Sequence, residues 1–181
     1  MQQFTKALRV TGTVFGLSIL GSVTIGISPA LAEVLQFSAL GLEKRCPCGL
    51  GDEADKAEAV NGVLKLKDAG MHYFMPVALP HGQNVCRFSM VYHDINSTDS
   101  MTATLKRKVV VVGNPPFGAP TTMASVTTAA GVSDTIRKAN DTTIVTPVIN
   151  TTNSFYYIQL ESPTTNLNPI GFQIEVRDAC P

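Results

Sequence analysis

Apolar and polar residues alternate with a period of two over much of the chain. The stretch Val85–His93 (VCRFSMVYH) places mainly apolar residues on one face of an extended chain and mainly polar residues on the other. The C-terminal stretch Phe172–Cys180 (FQIEVRDAC) repeats this pattern. Because successive side chains of a strand point to opposite faces, both stretches are predicted to be strands with one buried face.

Further strand candidates follow at short intervals and are separated by Pro, Gly and Asn residues typical of turns. They are Gly62–Lys67, Tyr73–Leu79, Met101–Val112, Thr121–Thr128, Thr142–Ile149 and Phe155–Leu160. Pro76 restricts its strand to an edge or a bulge. In contrast, Asp52–Ala59 (DEADKAEA) is rich in helix-forming residues and begins with an N-cap candidate. We therefore predict an all-β sandwich of about eight antiparallel strands with one short surface helix.

The first 32 residues have the features of a secretory signal peptide. Lys6 and Arg9 precede the apolar, uncharged stretch Val10–Ile27, and the small residues Ala30 and Ala32 fit a cleavage site. The alternative is a membrane anchor, because 18 uncharged residues approach the length of a span. Gly, Ser and Thr within the stretch favour cleavage. We expect residues 33–181 to form one domain without a membrane span, secreted or periplasmic, with association with the cell surface as a further option.

The charge of the mature chain gives no reason to expect nucleic-acid binding. Residues 33–181 contain 12 basic and 14 acidic residues, a net charge of −2. Nucleic-acid binding requires a clustered basic face. The one basic run, Lys106-Arg107-Lys108, is interpreted as the charged residues of a solvated strand edge.

Four cysteines in an exported chain predict a disulfide framework. Cys46 and Cys48 flank Pro47, so a bond between them would close a tight, strained ring. We expect one of them to pair with Cys86 and the other with Cys180, in an order that the sequence leaves open. Zinc binding is disfavoured because no second close Cys or His pair accompanies the first. A redox site is disfavoured because no Cys-x-x-Cys motif is present.

One segment resembles small exported bacterial β-sandwich proteins of uncharacterised function. The resemblance rests on Leu79-Pro80-His81-Gly82, Tyr92-His93-Asp94, Asn96 and Leu105, and on the later stretches SFYYIQLES and IGFQIEV. It implies a jelly-roll-like sandwich, which the predicted disulfides would cross-link. It implies no shared substrate and no catalytic residues.

Nothing in the sequence indicates an enzyme or a cofactor. The pair His93-Asp94 lies near several serines, but the chain has neither a Gly-x-Ser-x-Gly elbow nor a His-Glu-x-x-His motif. We interpret His72, His81 and His93 as ordinary surface histidines and Asp94 as a turn cap. A hydrolase is therefore the least favoured function, and no catalytic residue, metal site or cofactor is predicted.

The leading hypothesis from sequence is a noncatalytic structural or interaction protein, associated with the envelope or extracellular, acting through a protein partner or self-association. Val109–Val112 is interpreted as a buried strand, with a pairing edge as the alternative. The alternative function is a lectin-like carbohydrate-binding module that recognises a polysaccharide. Tyr156 and Tyr157 are its candidate residues, because adjacent strand residues point to opposite sides and one ring should be exposed. The Asn-x-Ser/Thr triplets at Asn96, Asn140 and Asn150 are interpreted as chance.

Overall fold

The computed structural model describes residues 32–45, 58–60, 63–66, 70–94, 99–111, 113, 118–129, 133–163 and 167–181. These residues form strands and one 3-10 turn, Ala39–Gly41. The strands are β1 (Glu33–Ser38), β2 (Glu43–Arg45), β3 (Glu58–Val60), β4 (Val63–Lys65), β5 (Met71–Val77), β6 (Asn84–Asp94), β7 (Thr102–Val109), β8 (Thr121–Thr127), β9 (Ser133–Asp141), β10 (Ser154–Ser162) and β11 (Leu167–Arg177).

The strands are arranged in two main antiparallel sheets. The four-stranded sheet has the order β1-β11-β6-β9, and the five-stranded sheet has the order β2-β5-β10-β7-β8. Strands β3 and β4 form a separate two-stranded sheet. The last two strands, β10 and β11, are in different sheets. Each lies inside its sheet, between two strands that come earlier in the sequence. This is jelly-roll order, and the predicted all-β sandwich is confirmed.

The core lies between the inner faces of the two main sheets. Phe88 of β6 and Phe172 of β11 are buried and stack with ring centroids 6.2 Å apart. From the opposite sheet, β10 contributes Ile158 and Leu160, which are both fully buried. Tyr73 and Tyr92 are also buried, as their positions on the apolar faces predict. Burial of such large side chains is the main favourable contribution to the stability of the sandwich.

The predicted disulfide pairing is wrong. Cys86 and Cys180 are bonded to each other, with a Cα–Cα distance of 5.2 Å. The bond forms because β6 and β11 are antiparallel neighbours, so the start of one lies beside the end of the other. A cysteine forms one disulfide, so neither sulfur is available to Cys46 or Cys48, which lie outside the described residues. Cys180 is also exposed, contrary to the prediction of a buried face, because β11 ends at Arg177.

Two of the predicted elements are wrong where the structure describes them. The end of the predicted helix Asp52–Ala59 belongs to β3, which pairs with β4; residues 52–57 lie outside the described residues. The predicted strand Thr142–Ile149 is a loop with a single bridge from Val148 to Asn84. The preceding polar stretch, β9, forms the strand instead, paired with β6.

Strand β7 is not at an edge, which corrects the interpretation of the basic run. It lies between β10 and β8, so Lys106 and Lys108 are on the face of a sheet. The burial predicted for the valine run is also wrong, because Val110 and Val111 are exposed. The prediction that Pro76 lies at an edge is confirmed. β2 pairs with β5 only as far as Phe74, so at Pro76 strand β5 has a neighbouring strand on one side only, which is β10.

The proposed signal peptide, apart from Ala32, and the triplet at Asn96 lie outside the described residues. Within the described parts of the chain, no helix has the length and hydropathy of a membrane span.

Candidate functional site

The adjacent residues Tyr156 and Tyr157 of β10 point to opposite sides of the five-stranded sheet. Tyr156 is 4% exposed and lies in the core, where its hydroxyl accepts a hydrogen bond of 2.7 Å from the backbone N–H of Asn150. Tyr157 is half-buried on the outer face. Tyr156 is therefore a structural residue, and of the two sequence candidates only Tyr157 presents a ring to the outside.

Tyr157 belongs to a group of rings on this outer face, which we call the aromatic face: Phe74, Phe155 and Tyr157. The rings of Phe74 and Tyr157 are 6.0 Å apart between centroids and are tilted by 44°. Phe155 lies two residues before Tyr157 on the same side of β10 and is 61% exposed. Phe155 and the two partly buried rings beside it form an apolar patch, which is a candidate binding surface.

A groove runs over the aromatic face. Its volume is about 1120 Å³, which is slightly above the range of about 300–1,000 Å³ that is usual for small-ligand sites. Phe74, Phe155 and Tyr157 line it, together with Pro76, and Glu43 and Lys108 provide charged groups at its border. Strands β5, β10 and β7 carry the rings, Pro76 and Lys108, whereas Glu43 is on β2. Ala78, Leu79 and Thr151 of the adjoining loops also line the groove, so it lies at one end of the sheet.

A polar cluster adjoins the aromatic face on the same side of the sheet. Gln159 Nε2 donates a hydrogen bond of 2.6 Å to Glu161 Oε1 and lies 3.2 Å from His72 Nδ1. His72 and Glu161 are 3.4 Å apart, and both side chains are partly exposed. Gln159 is directly opposite Phe74 in the β10–β5 register. Gln159 is itself buried, so His72 and Glu161 are the members of this cluster that are able to bond with hydroxyl groups of a ligand.

The phenol of Tyr157 is neutral in this setting. Partial burial raises the pKa of Tyr157 above its usual value of 10.0, because desolvation disfavours the phenolate. At physiological pH the hydroxyl is thus available both as a donor and as an acceptor, at the edge of an otherwise apolar ring.

The other histidines lie apart from this polar cluster. His81 lies in the turn before β6 and accepts a hydrogen bond from the backbone N–H of Thr151 at 3.1 Å. His93 is on β6, in the four-stranded sheet. Among the described residues, no group of three or more His, Cys, Asp or Glu side chains is placed to hold a metal ion.

Two of the three Asn-x-Ser/Thr triplets, those at Asn140 and Asn150, lie within the residues that the structure describes. The side-chain oxygen of Asn140 accepts a hydrogen bond from the hydroxyl of Ser89 at 2.8 Å, and that of Asn150 accepts one from the backbone N–H of Thr152 at 3.1 Å. Both side chains therefore have structural roles.

No protein-family model matches the chain. No curated protein matches it either. Among solved structures, CBM35 from Cellvibrio japonicus Abf62 is similar over 82% of this chain and 100% of that chain, with a TM-score of 0.45 and 12% identity. The CBM22-1–GH10 modules of Clostridium thermocellum xylanase 10B, in complex with xylohexaose, are similar over 78% of this chain and 27% of that chain, with a TM-score of 0.41 and 12% identity.

A third solved structure, Eiger TNF from S. frugiperda, is similar over 84% of this chain and 95% of that chain, with a TM-score of 0.40 and 9% identity. At these scores the similarities carry no functional inference.

Phe74, Phe155, Gln159 and Glu161 are absent from the sequence-based candidates. The sequence does contain a signal for Phe74. It lies between Tyr73 and Met75, which occupy the apolar, inward face of the predicted strand Tyr73–Leu79. That alternation already directs Phe74 outward. The signal for Phe155 is its position two residues from Tyr157.

Proposed function

We propose that the protein is a noncatalytic carbohydrate-binding module that holds a polysaccharide on the aromatic face. This is the alternative from the sequence, and the geometry now favours it over the structural hypothesis. The observation that carries the proposal is the groove lined by Phe74, Phe155 and Tyr157, with Gln159 and Glu161 beside it.

The chemistry of a sugar matches this surface. A pyranose has apolar C–H faces that stack on aromatic rings and a rim of hydroxyl groups that require polar partners. Phe155 and Tyr157 provide the ring surface, and the Tyr157 hydroxyl and the partly exposed side chains of His72 and Glu161 provide polar partners. Large aromatic side chains contribute most to binding energy when they are the central residues of a contact.

Export is part of this proposal. The N-terminal pattern is that of a signal peptide, and the Cys86–Cys180 disulfide is typical of oxidising compartments. A polysaccharide-binding domain would meet its ligand in such a compartment. Intact mass spectrometry of the naturally exported protein should give a chain that begins at Glu33; a chain that retains residues 1–32 would contradict export by cleavage.

The test is affinity electrophoresis against a panel of neutral and acidic polysaccharides, followed by calorimetry with those that retard the protein. Tyr157→Ala should weaken binding by about 30-fold, which corresponds to about 2 kcal/mol for a central aromatic contact. The matched control is Ile136→Ala, which removes a side chain that is 68% exposed on β9 of the other sheet. The proposal is wrong if no polysaccharide binds, or if both variants bind like the wild type.

A second candidate function is protein contact through the end of β7. Val110 and Val111 are 38% and 47% exposed and form an apolar surface that a second copy of the chain could cover. The pairing-edge alternative is not favoured, because the backbone N–H of Val110 already donates to the carbonyl of Asn153. Light scattering at high concentration would show a dimer that Val111→Lys dissociates. A strict monomer would count against this function.

A further inference from the structure

Two lysines lie beside the aromatic face on the neighbouring strand. In the β10–β7 register, Lys106 is directly opposite Tyr157, and Lys108 is directly opposite Phe155. The intervening Arg107 is opposite the buried Tyr156, and its Nε atom donates to the hydroxyl of Ser154 at 3.1 Å. Lys106 and Lys108 therefore share the outer side of β7 with the rings, and Lys108 lines the groove.

Directly opposite cross-strand residues have Cβ atoms about 5 Å apart, so each ammonium group can reach over or beside its ring. Lys106 has Tyr157 on one side and Thr122 of β8 on the other, and neither neighbour is acidic. The two lysines are two positions apart, a separation of about 7 Å along the strand. A ligand that stacks on Tyr157 and Phe155 would therefore have two cationic groups along the same border.

The acidic groups of this surface lie on the side of the rings away from the lysines. Glu43 is directly opposite Phe74 in the β2–β5 register. Glu43 is on β2, which is three strands from β7, or about 14 Å. Glu161 is four positions from Tyr157 along β10, or about 13 Å. Both distances exceed the Debye length of about 8 Å at physiological ionic strength, so the lysines determine the sign of charge beside Tyr157 and Phe155, whereas Glu43 determines it beside Phe74.

We propose, on the basis of the function proposed above, that the polysaccharide is anionic. Its sugar rings stack on Tyr157 and Phe155, and its carboxylate or sulfate groups bond to Lys106 and Lys108. Lysine is suited to this task because its ammonium group is a compact charge with three donors, and hydrogen bonds between charged groups are stronger than those between neutral ones.

The experiment compares polygalacturonate, which carries carboxylates, dextran sulfate, which carries sulfates, and neutral xylan and dextran, each by calorimetry at low and high salt. The wild type should bind at least one anionic polymer about tenfold more tightly than either neutral one, and this preference should shrink at high salt. The double variant Lys106→Gln/Lys108→Gln should lose about tenfold on that anionic polymer, as expected for two partly exposed charge contacts.

The control variant Lys65→Gln/Lys138→Gln removes the same number of charges from β4 and from β9 of the other sheet, and it should bind like the wild type. Equal loss in both double variants would mean a general effect of net charge and would overturn the inference. Equal affinity for neutral and anionic polymers would also overturn it. The proposed function would stand in that case if Tyr157→Ala still weakened binding about 30-fold. If no polymer binds, the proposed function fails and this inference fails with it.

Discussion

The outer faces of the two main sheets differ in which side chains form ion pairs or hydrogen bonds and which side chains are exposed rings. On the four-stranded sheet, Glu175 accepts from Arg177 at 2.6 Å and lies 3.5 Å from Arg87. On the same sheet, Lys138 donates to the side chain of Gln173 at 2.6 Å. Charged and polar groups of this face are thus paired with one another.

The outer face of the five-stranded sheet instead exposes rings. Phe155 is mostly exposed and Tyr157 is half-buried, at a cost in unburied apolar surface. The four-stranded sheet also exposes apolar residues, Val34 and Ile136, but these are single aliphatic side chains on its two edge strands. The comparison teaches that only the five-stranded sheet gathers exposed rings around a groove that a ligand would cover. The predictions below separate the residues that stabilise the sandwich from those that we expect to bind.

The largest expected effect on stability comes from the disulfide, which joins β6 of the four-stranded sheet to the chain after β11. The double substitution Cys86→Ser/Cys180→Ser opens a loop with a sequence separation of 94. Urea unfolding should show a loss of about 4 kcal/mol, because the bond limits the conformations of the unfolded chain. Under conditions in which this variant is folded, polysaccharide affinity should be unchanged, because the groove is on the other sheet. A loss below about 1 kcal/mol would contradict this role of the bond.

The next effect contrasts the two sides of β10. Ile158 is fully buried, so Ile158→Ala should cost about 3 kcal/mol through lost burial and the cavity left behind. Its neighbour Tyr157 points outward, and Tyr157→Ala should cost about 1 kcal/mol or less while weakening polysaccharide binding. Thermal and urea unfolding, measured beside calorimetry, check both variants. The assignment of the faces is wrong if Tyr157→Ala destabilises the fold as strongly as Ile158→Ala.

The smallest effect is expected on the outer face of the four-stranded sheet. Glu175→Gln removes the charge shared by Arg177 and Arg87, both of which are partly exposed. The loss should be about 1 kcal/mol, because solvent can hydrate the two guanidinium groups. Binding should not change. A clear loss of polysaccharide affinity in this variant would mean that the binding site is on the four-stranded sheet, contrary to the proposal.

Sequence periodicity predicts those strands that have one face buried in the core and the other face exposed to solvent. β6 was found because Phe88, Met90 and Tyr92 are buried against the opposite sheet. β9 was missed because it is an edge strand whose one large aliphatic residue, Ile136, is exposed, so its sequence carries little alternation. The sequence Thr142–Ile149 has the β-branched composition of a strand, yet it forms a loop that buries Ile149 at the core.

The site depends on contacts that the local pattern does not contain. Alternation predicts that Tyr156 and Tyr157 point to opposite faces of β10. It cannot predict that the ring of Phe74 on β5, more than eighty positions away in the chain, lies 6.0 Å from the ring of Tyr157. The position of Lys106 beside Tyr157 likewise requires the register of β7 against β10. The disulfide prediction was wrong for the same reason, because the pairing depends on which strands are neighbours.

The most direct test of the central claim is NMR mapping with ¹⁵N-labelled protein and methyl- and aromatic-labelled side chains, titrated with short oligosaccharides of whichever polysaccharide binds in electrophoresis. The account predicts shift changes concentrated at Phe74, Phe155 and Tyr157 and at Lys106 and Lys108, with little change at Glu175 or Gln173. Changes centred on the four-stranded sheet, or on loops away from the groove, would contradict it.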